Sequence, residues 1–95
     1  MNSEPKTVVL GPEYDGVLIG ALMDVLQRLG YVRVSHSWGV GGSQEVETAE
    51  FVAGDRHLLV ENETYMGLSI CGPGDLVDSI SEMVADEMRK TGSVP

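Results

Sequence analysis

From about Glu13 to Leu29, apolar side chains recur at helical spacing, with Val17, Leu18, Ala21, Leu22, Val25, Leu26 and Leu29 forming one stripe. The spacing predicts an amphipathic helix that Gly30 brings to an end. A second helix is predicted from Asp75 to Lys90, with Leu76, Val77, Ile80, Met83, Val84, Glu87 and Met88 on one side. Its charges suit the helix dipole, with Asp75 and Asp78 in the first turn and Arg89 and Lys90 in the last, before Gly92. Ahead of the first helix, Thr7 to Leu10 is a β-branched run closed by Gly11-Pro12 and reads as a strand. Between the helices the period falls to two, which predicts four strands near 31–38, 44–53, 56–62 and 65–71. Their breaks are the glycine-rich segment 39–43, Gly54-Asp55, and a turn at Asn62-Glu63-Thr64, whose match to the glycosylation triplet carries little weight.

The order β-α-β-β-β-β-α implies an α+β two-layer sandwich, a mainly antiparallel meander with both helices on one face. The first strand is expected at a sheet edge or beside a parallel neighbour. A consistent apolar face results if Val32 lies opposite Phe51, Val34 opposite Ala49, Leu58 opposite Phe51 and Leu68, and Val60 opposite Ala49 and Met66. That register sets Arg33 against Glu50 on the other face and His36 against Glu47 on the helix side. Gly16 and Gly20, four residues apart, each cost roughly 0.8 to 1 kcal/mol of helix propensity, so close packing of the helix backbone on the sheet is expected there.

The 95 residues suffice for a single domain, expected over residues 7–91 with flexible ends at 1–6 and 92–95. Charge narrows the partners. Fifteen Asp and Glu against six Lys and Arg give a formal net charge of -9. The six cations form no stripe, which argues against nucleic acid, and an anionic membrane surface would repel the chain. The apolar run from Gly16 to Met23 is far short of the ~20 residues that span a bilayer. Cys71 is the sole cysteine, so no internal disulfide can form, and a cytoplasmic location is expected.

Few residues point to chemistry. Gly39, Gly41 and Gly42 before Ser43 lack the lysine and helix of a phosphate loop and read as a hairpin turn. Cys71, near the start of the second helix, is a weak nucleophile candidate, because Asp75 and Asp78 oppose thiolate formation. The expected register holds His36 and His57 some 16 Å or more apart, too far to share a metal, so neither metal nor cofactor is expected. His36 with Glu47 could act as an acid-base pair, Trp38 could wall a small pocket, and Glu45 lies beside them.

The reverse sheet face offers a different kind of function. Tyr31, Val52, His57, Leu59 and Tyr65 are all expected to point away from the helices. The leading expectation is therefore a small acidic, non-catalytic interaction or assembly module. Its partner would be a second copy, joined through the open face, or a basic protein drawn by opposite charge. The alternative is a small enzyme or small-molecule-binding domain using His36 and Glu47 beside Trp38.

Overall fold

Asp15 starts the first helix by turning its carboxylate onto the backbone N–H groups of Val17 and Leu18, both at 3.1 Å. This satisfies two of the four donors that a helix start leaves unpaired. In the computed structural model, which describes residues 4–12, 15–41, 44–64 and 66–90, the order is β1 (Pro5–Gly11), α1 (Gly16–Arg28), β2 (Val32–Gly41), β3 (Gln44–Ala53), β4 (Arg56–Glu63), β5 (Gly67–Pro73) and α2 (Gly74–Lys90). All five strands join one antiparallel sheet in the order β1-β5-β4-β3-β2. The first strand takes the edge beside β5, and α1 carries the chain across to the opposite edge. Pairing starts at Pro5 with Pro73, so the sheet claims two residues that the sequence assigns to the flexible start.

The core lies between the sheet and two helices on one face. Leu18, Ala21, Leu22, Val25 and Leu26 of α1 and Val77, Ile80 and Val84 of α2 are buried against Phe51, Leu58, Val60, Leu68 and Ile70. Both helices thus use most of the stripe their periodicity marks, with Val17 and Leu29 at the two ends of the α1 stripe left exposed, and Arg28 of α1 bonds to Glu87 of α2 at 2.7 Å. Gly16 and Gly20, by contrast, are exposed with nothing near a Cβ position, so the expected close approach to the sheet is absent. A close backbone approach occurs within the sheet instead, between β5 and β1 at Gly67, which has φ +97° and where a Cβ would collide with the carbonyl oxygen of Gly11.

Strand pairing corrects the expected register in two places. Between β3 and β4 it is as read, with Phe51 opposite Leu58, Ala49 opposite Val60 and Val52 opposite His57. Between β4 and β5, Val60 meets Ile70 and Asn62 meets Leu68, a four-residue shift that leaves the faces unchanged. The reason is that β4 runs on through Asn62, a buried strand residue rather than a turn, and the chain turns after Glu63. On the other side, β2 extends to Gly41, so His36 sits opposite Ala49 and Trp38 opposite Glu47. A bulge between Arg33 and Ser35 then inverts the start of the strand. Val32 pairs with Val52 on the open face and Arg33 pairs with Phe51 on the helix side, the reverse of the expected arrangement. Val32 and Val34 are consequently 62% and 55% exposed, outside the core.

Candidate functional site

Tyr31 shows how the end of α1 redirects a side chain. Gly30, at φ 84°, follows the C-cap Leu29, and the N–H of Tyr31 donates to the Leu26 carbonyl at 2.9 Å while that of Gly30 donates to Gln27. This paired closure characteristically brings the residue after the glycine against the last helical turn. Tyr31 accordingly enters the core instead of the open face, at 6% exposure. Its buried hydroxyl has no hydrogen-bond partner among the described residues. Desolvation raises its pKa, with Arg56 pulling weakly the other way.

The open face is formed by alternate residues from all five strands. It carries Val9, Val32, Val46, Val52, Leu59 and Cys71 among its apolar or weakly polar members, together with Glu50, His57, Glu61 and Glu63. His57 Nδ1 lies 2.9 Å from a Glu50 carboxylate oxygen. Beside this pair, a shallow groove of about 290 Å³ is lined by Pro5, Glu50, His57, Leu59, Cys71 and Pro73 among others. Of the five face residues expected from sequence, Val52, His57 and Leu59 are in place, Tyr31 is in the core and Tyr65 lies outside the described residues. The cations point elsewhere. Lys6 bonds to Asp78 on α2, Arg33 and Arg56 follow the helix-side alternation, and Arg28, Arg89 and Lys90 are on helices.

On the helix side, His36 and Glu47 do meet, with Nε2 2.7 Å from a carboxylate oxygen. They are diagonal neighbours rather than directly opposed, since each faces a different partner across β2 and β3. Both line a cleft of about 220 Å³ beneath α1, whose walls include Ile19, Met23, Phe51, Val60 and Leu68, with Arg33 and Asn62 supplying further polar groups. Trp38 is 58% exposed and takes no part in the lining, and neither does Glu45, which is exposed and holds the Thr64 turn through its backbone. The aromatic wall is Phe51. Sequence reasoning found the His36-Glu47 pair but missed Arg33 and Asn62, because the bulge and the length of β4 decide where those two point.

The two histidines occupy opposite faces of the sheet. Among the described residues, no three side chains of the metal-ligating types are grouped to hold an ion. Cys71 is a free thiol, half-buried on the open face, and no base among the described residues is hydrogen-bonded to it. No described helix is long and apolar enough to cross a membrane. The fold and these two surfaces define an α+β two-layer domain with one sheet face that no described element covers. Compared with known proteins, the chain matches no family model, no curated protein and no solved structure.

Proposed function

We propose that this protein is an acidic, non-catalytic interaction module whose bare sheet face docks a basic protein surface. The observation that carries the reading is the charge pattern of that face. Glu50, Glu61 and Glu63 stand among valines and Leu59, and no Lys or Arg joins them among the described residues. A second copy seated there would bring two sets of carboxylates together with only histidines to compensate, whereas a cationic surface would supply the missing counter-charges. The groove beside Glu50 suits one Lys or Arg side chain, its stem along Leu59 and Cys71 and its head at the carboxylate. Five strands ~4.8 Å apart and at least seven residues long at ~3.3 Å each span roughly 550 Å² in projection, commensurate with the ~600 to 1,000 Å² per partner of a standard interface. The net charge of -9 adds long-range steering toward such a partner.

The test is a titration with a synthetic peptide of alternating Lys and Val, followed by amide chemical shifts and run beside sedimentation of the protein alone. Shifts should concentrate on Val52, Leu59 and Cys71, and the double change Glu50→Lys, Glu61→Lys should weaken binding at least tenfold. The charge-matched double change Asp24→Lys, Glu82→Lys, at exposed positions of α1 and α2, should weaken it little. Equal losses from the two variants would reduce the interaction to bulk charge. A tight dimer that buries Leu59 would hand the face to a second copy instead.

A further inference from the structure

We propose that the cleft beneath α1 binds a small carboxylic acid with an apolar body, held by Arg33. The site lies on the side of the sheet opposite the open face and does not depend on the docking proposal. Its apolar walls come from two layers, Ile19 and Met23 of α1 and Phe51, Val60 and Leu68 of the sheet. At its mouth stands the Arg33 guanidinium, which no carboxylate engages among the described residues, although the chain carries fifteen Asp and Glu. A planar fork of N–H donors with no partner among the described residues, beside apolar walls, matches a carboxylate on an apolar stem.

The other charges of the cleft fit this choice. Glu47 lies 2.7 Å from His36 Nε2, much as Glu50 lies 2.9 Å from His57 on the other face, so the sign of the ligand is set by Arg33, whose fork is the group left to be engaged, and is read directly by comparing an acid with an amine of the same stem. A carboxylate at Arg33 leaves the His36-Glu47 pair intact. Buried Asn62 adds a polar lining group at the foot of the cleft. The net charge of -9 opposes anions at a distance, but at physiological ionic strength this field is screened beyond ~8 Å, and direct pairing with Arg33 decides inside that range. The volume of about 220 Å³ falls below the ~300 to 1,000 Å³ of drug-sized pockets. It suits an acid of amino-acid size.

Hexanoate, hexan-1-ol and hexylammonium separate the contributions of head and tail, with methyl and arginine side-chain NMR signals as the readout. Hexanoate should shift the Ile19 and Met23 methyls and the Arg33 Nε–H saturably, and the alcohol should bind at least tenfold more weakly. Arg33→Gln should lose tenfold or more in hexanoate affinity while keeping a native amide spectrum, since Arg33 is exposed and no described residue pairs with it. Arg56→Gln, outside the cleft, should bind like the parent protein. Absence of saturable shifts, equal binding of the alcohol, tighter binding of hexylammonium, or an unchanged affinity in Arg33→Gln would each overturn the assignment.

Discussion

The buried hydroxyl of Tyr31 finds no partner among the described residues, which is unfavourable by ~1 to 3 kcal/mol for a fully desolvated polar group. Tyr31→Phe keeps the ring in the core and removes that group, so the urea midpoint of the variant should match or exceed the parent's at neutral pH. The same residue sets an alkaline limit. Because burial raises its folded-state pKa, the neutral phenol favours the fold at all pH values below the ordinary tyrosine value near ~10, and this contribution is lost as pH rises through the raised value. Unfolding curves above pH 10 should therefore show a steeper loss in the parent than in Tyr31→Phe. Glycines divide just as sharply. Gly20 is exposed in the interior of α1 with open space around it, so Gly20→Ala should stabilise by ~0.8 to 1 kcal/mol in denaturant titration. At Gly67 the positive φ and the Gly11 carbonyl make the same change destabilising by more than 1 kcal/mol.

Elements were legible where their signals are local. The strands and helices lie within about three residues of the boundaries read from periodicity and turn chemistry, and both helices bury the expected stripes except Val17 and Leu29. Asp15 and Gly30 mark the two ends of α1 through hydrogen bonds made within a few residues. Asp15→Ala should accordingly cost ~0.5 to 2 kcal/mol, measurable as a lowered thermal midpoint. Tyr31 was readable in principle, because an apolar residue after a helix-ending glycine, five after Leu26, is the signature of that closure. The bulge in β2 was not. One extra residue at Val34 exchanges the faces of Val32 and Arg33, and nothing in Val32-Arg33-Val34-Ser35 distinguishes a regular alternation from an interrupted one. The cleft's arginine was therefore hidden, while His36 and Glu47, beyond the bulge, kept their predicted face.

At the scale of the molecule, charge acts on stability as well as on partners. Fifteen acidic residues against six basic ones repel one another more strongly in the folded chain than in the expanded one. The Lys6-Asp78 and Arg89-Asp86 ion pairs are largely exposed and contribute ~0 to 1 kcal/mol each, too little to reverse that balance. Added NaCl up to about 0.2 M should raise the urea midpoint by screening the repulsion. A fall would mean that the ion pairs outweigh the net charge.

The amino-acid sequence by itself determined the element order, the two-layer class, the apolar faces of both helices and the acidic character, because each rests on periodicity, capping or a sum over residues. Tertiary structure alone decided the edge position of β1, the exchange of Val32 and Arg33, the burial of Tyr31 beside the end of α1, and which carboxylates share a face with no cation. Those features follow from strand register and from the meeting of segments far apart in the chain. A single inserted residue resets such geometry while leaving the local pattern almost unaltered.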